Sequence, residues 1–263
     1  MSKKTKIVLI IIASIFILLL VLAALATKLG AVPSTEEKTR KFIVSNPLDL
    51  SQIEGFSRYR SCAGHDFRAP NLSGRKEDAL SSMKHYVSVK SEFRGTIGEV
   101  KALAPFDGVI SAVEDDFSGG SSDQQIWLTP DTRSPRQWHF IFFHITLADG
   151  LSKGSEVKVG QLIGAANLRR GPDKATDNFD IAVKFTRPMN VPAIDAPFNH
   201  ASEEVLAEYA GYGITEDDFI ISEDERWSRP CPTIPDGEGP DVYFPSEAYN
   251  DDFFSIAPAG INP

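Results

Sequence analysis

The stretch from Gln137 to Leu147, Gln-Trp-His-Phe-Ile-Phe-Phe-His-Ile-Thr-Leu, limits the possible folds more than any other part of the chain. It has strand composition, and side chains alternate along a strand. Trp138, Phe140, Phe142 and His144 therefore share one face, and His139, Ile141, Phe143 and Ile145 share the other. Both faces are mostly apolar, so this strand is expected to be central and covered on both sides. Shorter runs answer it. Val109 to Val113 follows an Asp107-Gly108 turn, and Gln125 to Thr129 forms a further strand. Val157 to Gly164 alternates valine with polar residues. In Asn178 to Phe185, Phe179, Ile181, Val183 and Phe185 point to a core. Asn178, Asp180, Ala182 and Lys184 point to a face that is open or lines a cleft. The pattern predicts a mainly β domain.

The N-terminus carries Lys3, Lys4 and Lys6, followed by Ile7 to Ala26, which is apolar except for Ser14. That is the ~20 residues a helix needs to cross a bilayer. The lysines predict a cytoplasmic N-terminus and a single-pass protein of the cell membrane. The alternative is a cleaved signal ending at Ala24-Leu25-Ala26, although an apolar region of ~7–15 residues is usual there. Both readings place the folded part outside the cytoplasm, where disulfides form. The expected layout is a cytoplasmic tip and anchor over 1–28, a stalk over 29–54, a β-domain over 55–198 and an acidic arm over 199–263. From residue 199 to the end there are 15 acidic and 2 basic residues, and the whole chain has net charge −9. That balance excludes nucleic acid as the main partner. Ser73 is expected to cap a helix over 76–84. Ser202 is expected to cap a helix from Glu203 to Ala210 that ends at Gly211, and Thr215 a further turn.

The order of these pieces resembles the lysostaphin-type zinc endopeptidases, which cut peptide cross-links in cell walls. Their pattern runs His-x-Gly-x-Asp, Ala-Pro-x-Asp-Gly-Val, a strand ending Tyr-Ala-His-Leu, Val-x-x-Gly-Gln-x-Ile-Gly, and His-x-His. Here the corresponding stretches are Cys62-Ala63-Gly64-His65-Asp66, Ala104 to Val109, Phe142-Phe143-His144-Ile145, Val157 to Gly164, and Asn178-Phe179-Asp180. The resemblance covers about residues 59–197. It implies a mainly antiparallel, sandwich-like β fold of the duplicated hybrid type. It also implies that Cys62, Asp66 and Asp180 stand at the metal positions, and His144 and Asn178 at the acid/base positions. Asparagine carries no proton, so Asn178 removes one acid/base group. His65 and His85 are further candidates for a ligand set. The resemblance therefore implies a binding or scaffold module at the cell envelope, without catalysis and without a cofactor. The alternative is a live zinc endopeptidase with variant ligands. The implied partners are a cell-wall peptide, a glycan or an envelope protein.

Cys62 also has a rival role, because Cys231 is the only other cysteine and two lone cysteines outside the cytoplasm pair. Without a metal, Asp66, His144, Asn178 and Asp180 are expected to share a hydrogen-bonded cluster, His144 donating to Asp66 or Asp180. A looser resemblance to biotinyl and lipoyl carriers, through Met83-Lys84, is set aside because Lys84 is expected at a helix end.

Overall fold

The computed structural model describes residues 3–115, 123–169, 175–234, 242–245 and 249–256. In chain order its elements are α1 (Lys3–Gly30), α2 (Thr35–Lys38), β1 (Ile53–Ser57), β2 (His85–Val89), β3 (Ile97–Leu103), β4 (Gly108–Asp115), β5 (Gln124–Thr129), β6 (Gln137–Leu147), β7 (Glu156–Val157), β8 (Leu162–Asn167), β9 (Asn178–Thr186), β10 (Ala193–Asp195), α3 (Glu203–Ala210), α4 (Glu223–Ser228) and β11 (Phe253–Ser255). The fold is mainly antiparallel β. The strands form one sheet whose main path is β11-β1-β2-β9-β6-β5-β4-β7, with β10 on β9, and β8 joining β6 to β3. β6 is central, as its two apolar faces require.

One face of the sheet carries the main core. Phe140 and Phe142 of β6 meet Phe179, Ile181, Val183 and Phe185 of β9 there. Residues beyond 198 close that core. α3 begins at Ser202, whose side chain accepts from Val205 N, and it ends at Gly211. It buries Val205 and Tyr209, while Phe198 and Phe219 stack at 3.6 Å. The stretch expected as a stalk is a free tether only in part, since Phe42, Ile43 and Leu48 are buried in the same core.

α1 is long and apolar enough to cross a membrane, and none of its apolar stretch is buried among the described residues. Its last turn is held by the sheet. Arg136 donates from Nη1 to the carbonyls of Leu29 (2.9 Å) and Ala31 (2.7 Å), and its guanidinium forks onto Glu37 at 2.8 and 2.7 Å. The hydrogen bond from Arg136 pulls the Glu37 carboxyl down to about 2.

Three expectations are corrected. First, no helix forms over 76–84. Asn71 Oδ1 accepts from both Ser73 N and Ser73 Oγ, so a local turn takes the group that was to cap a helix. Glu77 is buried against Arg60 at 2.7 and 2.8 Å. Second, the Asn178–Lys184 face lines a cleft only at its ends, at Asn178 and at Lys184, while Asp180 and Ala182 between them are buried. Third, β6 does not alternate to its end. Gln124 pairs with Ile145 and Ile126 with Phe142, so one residue of β5 opposes two of β6, a bulge. His144 takes φ +59° there. Ile145 consequently joins Trp138, Phe140 and Phe142 in the main core, and His144 turns to the face of His139, Ile141 and Phe143.

The expected loop at 117–123 is described only at Asp123. Parts of the loop at 169–177 and of the arm lie outside the described residues.

Candidate functional site

The covered face of the sheet holds a row of buried charges. β2 alternates, so Lys84 and Tyr86 face β9 from one side while His85 faces the main core. Tyr86 pairs in register with Asp180. The Lys84 ammonium reaches Asp180 Oδ2 at 2.6 Å, and both side chains are almost wholly buried, at 4% and 1% exposure. Three rings surround that ammonium: Tyr86 at 4.8 Å, Phe67 at 4.9 Å and Phe143 at 5.1 Å. Such rings attract a cation through their electron-rich faces. Burial is the largest single influence and pulls the Lys84 pKa down, but the Asp180 charge, Tyr86 and the hydrogen bonds to both together outweigh it, and the net direction is up. Lys84 is therefore a charged, internally neutralised cation.

Two histidines flank this pair. His65 Nε2 lies 3.4 Å from Lys84 Nζ, and its Nδ1 lies 3.1 Å from the Asp66 carbonyl oxygen. Both contacts are satisfied when Nδ1 donates and Nε2 accepts. His144 Nδ1 lies 3.1 Å from both oxygens of Asp123, and its Nε2 is 3.9 Å from Asp180. Without the bulge in β6, His144 would face the opposite side of the sheet. Gly64 sits at φ +63°, and a Cβ there would come within 2.1 Å of the Tyr86 hydroxyl. Glycine is thus required for the Cys62–Asp66 segment to lie against Tyr86.

The structure separates the residues that the sequence grouped. Asp66 leaves the cluster, because Arg68 forks onto it at 2.7 and 3.0 Å and Ser81 N donates to it. His144 donates to Asp123 rather than to Asp66 or Asp180. Asn178 donates to Asp177 at 2.9 Å and lines a cleft of about 710 Å³ with His65, Tyr86 and Tyr243. Cys62 is bonded to Cys231, across a separation of 169 residues. Disulfides typically contribute about 2–4 kcal/mol, with longer loops toward the upper end. His85 faces away, its Nδ1 at 2.7 Å from the Ser57 carbonyl and its ring edge-on to Phe198.

Zinc does not fit this donor set. The Cys62 sulfur is in a disulfide, Asp66 is engaged by Arg68, and Asp180 by Lys84. Among the described residues no group of three or more His, Cys, Asp and Glu is placed to hold a metal ion. The carrier reading fails as well, for a reason other than the helix: Lys84 is buried in an ion pair and cannot be presented to a modifying enzyme.

Sequence reasoning missed the roles of Lys84 and Asp123. The alternation of Lys84, Tyr86 and Ser88 against His85, Val87 and Val89 was a readable strand signal, overridden by the expected helix. Asp123 had no signal beyond closing a Ser/Gly loop.

Two buried histidines give the fold an acid limit. Burial lowers the pKa of both His85 and His139 from 6.5 to about 4, and the nearby Lys184 charge adds to the effect at His139. Lowered values mean that the unfolded chain takes up protons first. Stability is full above pH 6.5 and is lost as pH falls toward about 4, by roughly 3 kcal/mol for each group. A melting series from pH 7 to pH 4 should show a continuous fall. A flat profile above the carboxylate range would contradict it.

No family model matches the chain, and no curated protein matches it. A solved structure described as a glycyl-glycine endopeptidase, LytM, from Ruminococcus gnavus is similar to part of it, with 19% sequence identity and a TM-score of 0.32. The likeness covers 44% of this chain and 44% of that one, so less than half of that protein's length is spanned.

Proposed function

We propose that this chain is a membrane-anchored, extracytoplasmic binding or scaffold module at the cell envelope, built on a peptidase-like layout without peptidase chemistry. The observation that carries this reading is the Lys84–Asp180 pair. A tethered ammonium lies 2.6 Å from the carboxylate that the resemblance assigns to a metal. Cys62 and Asp66 are engaged elsewhere, and Asn178 cannot move a proton. The ligand surface in this reading is the cleft beside the pair, where Tyr86, Tyr243, His65 and Asn178 offer stacking faces and hydrogen-bonding groups suited to a peptide or a glycan.

Metal analysis of the purified, untagged protein tests it. Zinc should be far below one per chain, and Asp180→Ala should not change the amount. One zinc per chain that is lost in Asp180→Ala would overturn the reading in favour of a live metallopeptidase. Reporters fused after Lys28 and after Pro263 test the location, and cytoplasmic signals from both would overturn it.

A further inference from the structure

The turn between β9 and β10 is tied to the end of α1. Asn190 Nδ2 donates to the Gly30 carbonyl at 3.2 Å and to the Pro188 carbonyl at 2.9 Å. On either side of Asn190 stand Met189, 78% exposed, and Val191, 65% exposed. Among the described residues these are the two most exposed large apolar side chains outside α1, apart from Trp227. Met189 is also one of three described residues other than glycine at positive φ, at +59°. A strained backbone that displays an uncovered apolar side chain points to something outside the protein that covers it.

The position of the turn says what that is. The apolar run of α1 ends at Ala26, and Gly30 follows four residues on, about 6 Å further along a helix. A bilayer is ~30 Å thick in its hydrocarbon and ~40–45 Å with its headgroups, so each headgroup layer is ~5–7.5 Å deep. With α1 spanning, Gly30 lies within the outer headgroup layer, and the turn bonded to Gly30 lies at the same depth. Arg136 holds the end of α1 against the sheet through the Leu29 and Ala31 carbonyls, so the turn cannot drift away from that depth.

We propose that the Pro188–Val191 turn is a membrane-contacting tip, its Met189 and Val191 side chains seated in the headgroup layer of the bilayer that α1 spans. The protein then meets the membrane at two points, the helix and this turn. The proposal rests on α1 being a membrane span.

The test uses the full chain reconstituted in phosphatidylcholine vesicles that are unlabelled, carry a nitroxide on the lipid headgroup, or carry bromine on the lipid chains. Tryptophan is placed by Met189→Trp, by Val191→Trp and, within α1, by Ile17→Trp, and the native tryptophans are subtracted with the unsubstituted protein. The headgroup nitroxide should remove most of the added emission from Met189→Trp and Val191→Trp, and the chain bromine most of that from Ile17→Trp. Quenching of Ile17→Trp alone would overturn the tip and leave the anchor standing. Quenching of none of the three would overturn the anchor and the tip with it.

Discussion

Lys84→Met is expected to destabilise the protein by about 3–5 kcal/mol, the usual consequence of leaving one partner of a buried ion pair without its counter-charge. Asp180 is 1% exposed, and Lys84 Nζ is its 2.6 Å cation partner. The methionine fills the lysine's volume and keeps the contacts with Phe67, Tyr86 and Phe143, so the loss is electrostatic rather than steric. A second substitution separates the two. Lys84→Met combined with Asp180→Leu removes both charges and should recover most of the lost stability, because the pair as a whole contributes little once desolvation is counted. Urea denaturation of the four proteins in this cycle measures the coupling. A single variant within 1 kcal/mol of the parent would mean that Asp180 is not a buried charge held by Lys84.

The second large effect lies at the root of the acidic arm. Arg226 is buried, and its Nη2 contacts both oxygens of Asp252 at 2.7 and 2.8 Å. The same guanidinium donates to the carbonyls of Arg60 and Arg229 and to the Cys62 sulfur. Asp252 in turn accepts from Cys62 N at 2.6 Å. Arg226→Met is expected to cost about 3–5 kcal/mol by leaving the Asp252 carboxylate buried without a cation. In a domain of this size that is a fall in melting temperature of roughly 6–20 °C. Arg226→Lys should rescue little, since an ammonium cannot span a carboxylate and three further acceptors from one planar group. Melting at the parent temperature would show that the disulfide alone holds this region.

The parts of the fold that could be read in advance are those whose causes are local. β6 spans Gln137–Leu147 because seven of its eleven residues are aromatic or β-branched strand formers, and α3 runs from its Ser202 cap to Gly211 because both ends carry their stop signals. The Cys62–Cys231 bridge followed from counting cysteines. What could not be read depends on neighbours distant in sequence. The bulge at His144 lies where β6 leaves β9, after the Phe143–Asp180 pair, and takes up β8 from Ile145, and nothing within the strand announces it. Lys84 was misplaced because a polar segment with a serine ahead of it looks like a capped helix until Asn71 takes the serine. The site was legible only as a neighbourhood. Asp180, His144 and His65 do meet, but the cation between them came from a residue read as the end of a helix.

The bulge also separates two questions that most strands tie together. Phe143 and His144 together stand opposite the single residue Gln125, so the chain holds one residue more here than its pairing needs. A chain one residue shorter at position 144 would keep Phe142 and Ile145 in the core and Phe143 on the covered face, in an unbroken zigzag. The main core on the other face of the sheet therefore does not depend on the side chain at 144, although the left-handed backbone there disfavours β-branched residues. The inserted residue costs a left-handed backbone and yields a side chain placed between Asp123 and Asp180, so this position can change its chemistry without repacking the core.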